Sequence, residues 1–213
     1  LGKRRVWIPL NYHHVSNRGN RREAIFQSAA DYIYFLNLIE NAHEKFSIKL
    51  CSYCLMTNHY HLQLLSTDTP ISKVMFYINK KYANYYNRKY KYTGHLFEKP
   101  FFSRPVYDDY DILALSRYIH LNPVKATMVH LPEEYRWSSY SYFLSSEAAQ
   151  PPSFFTFDPI LSQFSGNTQD KKKKYLKWMM KAHSYEESMD YLEKFVMMDT
   201  DMKQLAAEKK SDY

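Results

Sequence analysis

The segment Asn58-His59-Tyr60-His61-Leu62 places two imidazoles two residues apart. On a β-strand, residues two apart point the same way, with Cα atoms ~6.6 Å apart. His59 and His61 could then converge on one metal ion, while Tyr60, Leu62 and Leu64 face the other side. The same pattern also fits two surface histidines on a half-buried strand. A second set lies at Tyr118 and Asn122, four apart and so on one helical face. A phenolate can attack phosphorus, and an amide oxygen can complete a metal site. With 21 Tyr in the chain, an aromatic core residue followed by a helix-ending Asn fits Tyr118 as well. A third feature is the stretch 79–104. It holds Lys80, Lys81, Arg88, Lys89, Lys91, Lys99 and Arg104 against the single acid Glu98, interleaved with Tyr82, Tyr85, Tyr86, Tyr90 and Tyr92. Cations that neutralise phosphates, with rings that stack on bases, make a single-strand nucleic-acid track; a solvated basic helix face is the alternative. Cys51 and Cys54 form a CxxC, but an odd separation on a strand sends the thiols to opposite faces, against either metal or disulfide.

The elements that must position these residues can be read from periodicity. Strands are expected over 12–18, 46–56, 59–65 and 101–107. The first is closed by Gly19-Asn20, and Thr57-Asn58 lies between the second and third. Thr does not favour a left-handed backbone, so a mirror-type turn there is not assured. Ser28 with Asp31 fits a capping box for a helix whose inner face would carry Ile33, Leu36, Ile39 and Ala42. A second helix is expected over 70–92, stopped by Thr93-Gly94. A third is expected over 108–122, ended by Pro123, and a short aromatic one over 135–144. Strand–helix–strand–strand–helix–strand order implies an α+β, ferredoxin-like (RRM-like) antiparallel sheet with helices on one face and the other face free for a ligand. Composition shifts at Ser145. This divides the chain into a domain over 1–145 and a linker with a small helical C-terminal extension over 146–213, with helices expected over 171–183 and 184–198.

The 213 residues carry 29 Lys and Arg against 22 Asp and Glu, a net charge of +7, with 17% aromatics and only 4 Gly, which excludes disordered and collagen-like chains. Basic charge with abundant rings favours a nucleic-acid partner. No apolar run is long enough for a membrane span, the basic start at 3–5 lacks a signal-peptide core, and two Cys exclude a disulfide scaffold. The expected compartment is the cytoplasm.

Five blocks in order over 12–140 together resemble a known family. They are Tyr12-His13-His14-Val15-Ser16-Asn17-Arg18-Gly19-Asn20, Cys54-Leu55-Met56-Thr57-Asn58-His59-Tyr60-His61-Leu62, Thr93-Gly94-His95-Leu96-Phe97, the run from Arg117 through Asn122 to Ala126, and Tyr135-Arg136-Trp137-Ser138-Ser139-Tyr140. The family is the REP-associated tyrosine transposases, single-tyrosine members of the HUH single-strand endonucleases. The resemblance implies a ferredoxin-like fold, His59 and His61 as paired ligands of a divalent metal (Mg or Mn), Asn122 at the third-ligand position and Tyr118 as nucleophile. It further implies cleavage and rejoining of single-stranded, hairpin-associated DNA through a 5′-phosphotyrosine, by a monomer or homodimer. Arg18, Lys80, Lys81, Arg88, Lys99 and Arg104 are the expected DNA contacts. Thr57 stands where the family usually has Pro, and Glu98-Lys99-Pro100-Phe101 follows the Leu-Phe block where a Gly and a basic residue are usual. The rival readings are a replication or mobilisation nickase of the same superfamily and a non-enzymatic single-strand binding module.

Overall fold

The computed structural model describes residues 7–144 and 150–181. Four strands, β1 (Tyr12–Arg18), β2 (Ile48–Leu55), β3 (His59–Ser66) and β4 (Phe102–Pro105), form one antiparallel sheet in the order β2-β3-β1-β4. Two helices, α1 (Ala29–Phe46) and α2 (Ile71–Tyr90), connect the strands in the expected ferredoxin-like order. Both lie on the sheet face that carries Tyr60, whose ring packs on Phe35 of α1 and whose hydroxyl donates to Asn79 of α2.

The other face is not open. Helix α3 (Asp109–Lys125) crosses it and packs on β2 and β3. It also runs one turn farther than expected, through Pro123. The missing proline N–H removes one hydrogen bond, but Ala126 N still donates to Asn122 O at 2.9 Å and Met128 N to Pro123 O at 3.0 Å. Just past the Ala126 cap, Thr127 turns the chain away in the left-handed region with φ 55°.

Helix α1 has the expected capping box between Ser28 and Asp31, but its buried stripe is Tyr32, Phe35, Ile39, Ala42 and Phe46; Ile33 is exposed. The stripe is rotated because aromatic rings at 32, 35 and 46 fill the core in place of the aliphatic residues at 33 and 36. Phe46 therefore ends α1, and β2 starts only after the left-handed Ser47. Beneath α1, Asp31 accepts from Gln27 N, Ser28 N, Tyr85 Oη, Tyr90 Oη and Lys89 Nζ. Burial alone would push its carboxyl up; these bonds outweigh it and hold the group at about 2.

The short helix expected over 135–144 is confined to α4 (Tyr140–Leu144). The segment read as a linker is built onto the sheet. Leu50 N donates to Phe154 O and Thr156 N to Leu50 O, both at 2.8 Å, beside α5 (Asp158–Leu161) and α6 (Thr168–Met179). Phe154, Phe155, Ile160, Tyr175 and Met179 join the same hydrophobic core. The helix expected over 184–198 lies outside the described residues.

Candidate active site

Strand pairing fixes which side chains meet on the α3-covered face. Opposed residues of antiparallel strands share a face. Ser16 opposes His61 and Arg18 opposes His59; on the other edge of β1, Arg104 opposes His14. His59 and His61 do share a face, with ring centres 5.1 Å apart and planes at 87°. The two-residue turn before them has no positive φ at Thr57 or Asn58, so it is not the mirror type. It is pinned from outside instead: Ile25 N and Phe26 N both donate to Thr57 O, and Gly19 N donates to Asn58 O at 2.8 Å. Gly19 is required there, because a Cβ would sit 2.2 Å from the Glu23 carbonyl oxygen.

Helix α3 delivers the phenol. Asp108 caps it by accepting from Asp111 N at 2.7 Å, and the buried Leu115 and Ile119 anchor it. The Tyr118 ring meets His61 edge-on at 5.2 Å and His14 at 6.0 Å. Burial pushes the Tyr118 phenol up to about 12, and a hydrogen bond from the Asn122 side chain offsets part of the rise. Asn122 Nδ2 also donates to the Tyr118 carbonyl at 3.0 Å, which leaves Oδ1 as its donor atom for a cation.

Three participants were missed in the sequence. His14 Nε2 lies 2.9 Å from His61 Nδ1. Asn58 Oδ1 lies 2.7 Å from His59 Nδ1. Lys125 Nζ sits 5.1 Å from the Tyr118 ring centre, and burial, then the Arg117 charge, lower it to about 8. His14 was legible in principle, since 14, 16 and 18 alternate onto one face of β1; Lys125 was hidden by ending α3 at Pro123. Lys125 and Arg117 also line a cavity of about 470 Å³ with Leu121, Val124, Met179, Met180 and Lys181.

The histidine pair fits a divalent cation. Two imidazoles bound through nitrogens at ~2.1 Å to one ion place their ring centres roughly 5 Å apart, as here. The Nε2 atoms of His59 and His61 have no hydrogen-bond partner among the described residues. Burial, then Arg18, lowers His59 to about 4; burial, then His59, His14 and Lys125, lowers His61 well below the usual value, so both rings stay neutral and able to ligate. Among the described residues no group of three His, Cys, Asp or Glu side chains is placed to hold a metal ion.

The expected DNA contacts divide into two groups. Arg18 and Arg104 flank the histidines on the site face; Arg18 also pairs with Glu98 at 2.9 Å, and Lys99 lies 3.8 Å from the same carboxylate. Lys80, Lys81 and Arg88 are exposed on α2, across the sheet from Tyr118. Four of the five interleaved tyrosines are engaged within the fold, and the fifth, Tyr92, is half-buried with its hydroxyl donating to Glu23 at 3.2 Å. Tyr82 and Tyr86 are buried with hydroxyls on Ile25 O and Ala24 O, Tyr85 stacks on Tyr34 at 3.9 Å, and Tyr90 bonds Asp31. Their spacing served the α1–α2 seam. Cys51 and Cys54 are both buried free thiols.

The sheet thus sets two histidines beside a helix-borne tyrosine, and comparison with known proteins places the chain among transposases. Residues 8–122 match the family model described as IS200-like transposase, and the chain belongs to that family. Among solved structures it is similar to a REP-associated tyrosine transposase bound to a REP hairpin, with TM-score 0.58 and 16% identity over 80% of this chain and 94% of that one. A putative transposase from Deinococcus radiodurans R1 aligns with TM-score 0.39 and 13% identity over 53% of this chain and 91% of that one. No curated protein matches the sequence. No helix among the described residues is long and apolar enough to cross a membrane.

Proposed function

We propose that this transposase cleaves and rejoins single-stranded, hairpin-associated DNA through a 5′-phosphotyrosine on Tyr118, with Mg or Mn held by His59, His61 and Asn122. What supports the reading is one juxtaposition: within a chain of the IS200-like family, the tyrosine ring packed edge-on against His61 among the described residues is that of Tyr118, at 5.2 Å. The catalytic unit is residues 1–145, and 146–213 is its extension.

When bound, the cation polarises the scissile phosphate and offsets the charge that builds on its oxygens. The chain does the rest. Tyr118 Oη gives up its proton to solvent and attacks phosphorus in line. The bond from phosphorus to the 3′ oxygen breaks, and that oxygen takes a proton and leaves as a 3′-OH. One phosphoester is exchanged for another, so attack by a different 3′-OH reverses the step and joins new strands without external energy. A phenol held at about 12 is protonated near neutrality; the Lys125 ammonium over its ring favours the phenolate. Arg18, Lys99 and Arg104 hold phosphates beside the site, while Lys80, Lys81 and Arg88 hold DNA farther along.

The test is incubation with single-stranded hairpin DNAs and Mn or Mg, followed by denaturing electrophoresis and mass spectrometry. Wild type should form a covalent adduct on Tyr118, and Tyr118→Phe should form none while still binding DNA. DNA recovered on another tyrosine would overturn the assignment.

A further inference from the structure

We infer that Asn58 and His14 are positioning residues that lock His59 and His61 in the tautomers with a bare Nε2, so that both rings are pre-set as ligands. The inference rests on the metal-site reading above. A neutral imidazole carries one N–H, and only its bare nitrogen can bind a cation. At His59 the choice is forced by a chain of donors and acceptors. Asn58 Nδ2 donates to the Arg22 carbonyl at 3.1 Å. A carbonyl only accepts, so the amide cannot be turned over, and Oδ1 faces His59 Nδ1 at 2.7 Å. Oδ1 also only accepts, so the hydrogen sits on Nδ1 and Nε2 is bare. The Arg22 carbonyl is itself set by the left-handed backbone there, φ 61°, next to the Gly19 N–H that holds Asn58 O.

At His61 the partner is another imidazole, His14, at 2.9 Å. One of the two must donate. The pair has two tautomer states, and only the one with the hydrogen on His61 Nδ1 leaves its Nε2 bare for an ion. If His61 donates from Nδ1, its Nε2 is bare, matching His59, and His14 keeps its own hydrogen on Nδ1. In that ligand-ready state His14 is the acceptor. It is fixed on the neighbouring strand by ring contacts to Phe102 at 5.6 Å and Tyr118 at 6.0 Å.

The test uses the full chain in two readouts. Long-range ¹H–¹⁵N correlation of the metal-free wild type should show His59 and His61 both as Nδ1–H tautomers. Mn titration followed by electron paramagnetic resonance should show Asn58→Ala and His14→Leu each binding about 10–100-fold more weakly. His14→Gln, whose amide oxygen can still accept, should recover most of the loss, which a mere packing role would not. An Nε2–H tautomer at either ring in the wild type, or Mn affinity indifferent to both variants, overturns the inference alone. A wild type that binds no Mn, or binds it equally after His59→Ala, overturns the metal-site reading and the inference with it.

Discussion

Helix α3 separates two histidine clusters whose rings are both lowered by desolvation but whose nitrogens do different things. Tyr118 and His120 lie about 200° apart around the helix, so one faces the sheet and the other faces away. On the far side, His120 Nδ1 meets Tyr175 Oη and Nε2 meets Ser139 Oγ, both at 2.8 Å. Tyr175 Oη also bonds Ser116 Oγ, and Ser139 Oγ accepts from Tyr53 N. Every hydrogen-bonding position of that imidazole is filled, and the network sews α6 and β2 to α3. On the sheet side, His59 and His61 each have one nitrogen held and the other without a protein partner among the described residues. Burial lowers His120 to about 3 and His59 to about 4. A depressed imidazole is therefore common to both sides; what sets the sheet side apart is a ring nitrogen without a protein partner among the described residues.

The largest effect that could break the contrast comes from deleting one ring on each side. His59→Ala should reduce adduct formation at least ~10³-fold while leaving the melting temperature close to wild type, because that half-buried ring gives up a single hydrogen bond, to Asn58. His120→Ala should do the reverse. It leaves Tyr175 and Ser139 short of a partner and opens a void, a cost of about 2–4 kcal/mol, or a melting temperature lower by roughly 5–15 °C. Mn affinity of the folded fraction should be unchanged. Calorimetry and Mn titration on both variants check this, and a His120 variant that melts normally would end the distinction.

Acid should sharpen it. His120 is depressed from 6.5 to about 3 in the folded state, so the unfolded chain binds one more proton than the native chain between those values. Its contribution to stability is complete above pH 6.5 and falls as pH drops toward 3. Replacing it by Gln should flatten the stability–pH slope in that window by about 1.4 kcal/mol per pH unit. Asp31 acts lower. Its folded value of about 2 lies below the ordinary 3.8, so its contribution is present above 3.8 and is lost as pH falls to about 2. Urea titrations at several pH values resolve the two windows, and an unchanged slope in the His120 variant would mean that the ring is protonated in the fold.

The sheet side was the legible side. Period-two alternation alone placed His59 and His61 together and Tyr60 opposite, and four-residue spacing put Tyr118 and Asn122 on one face of α3. These are local rules, and the element order follows from them. The cover over the sheet was not legible, because it depends on long-range partners. His14 reaches His61 only through β1–β3 pairing, and Phe154 meets Leu50 across more than a hundred residues of chain. The tyrosines of α2 misled for a related reason: a ring spaced for stacking on bases is spaced equally well for the seam against α1. Charge stayed readable where rings did not, since Lys80, Lys81 and Arg88 are exposed as a basic face should be.

That leaves the smallest effect, which separates charge from rings on α2. Lys80 and Lys81 project to solvent, each over a neighbouring ring, Phe76 and Tyr77, at 5.3 and 4.6 Å. They lie across the sheet from Tyr118, so any strand they hold is a different part of the DNA from the one being cut. Phosphate contacts release counterions, which sets a salt slope of ~0.7 log units per contact on single strands. Replacing both lysines by Ala should therefore lower the slope of log affinity against log salt by about 1.4. Cleavage of bound DNA at saturation should be unaffected, because neither residue touches the site. Tyr85→Phe, by contrast, should leave the slope alone and cost stability through the lost bond to Asp31. Fluorescence anisotropy with a labelled single strand at several salt concentrations measures the slope. A double lysine variant with the wild-type slope would make the α2 face a solubilising surface and confine DNA contact to Arg18, Arg104 and the site face.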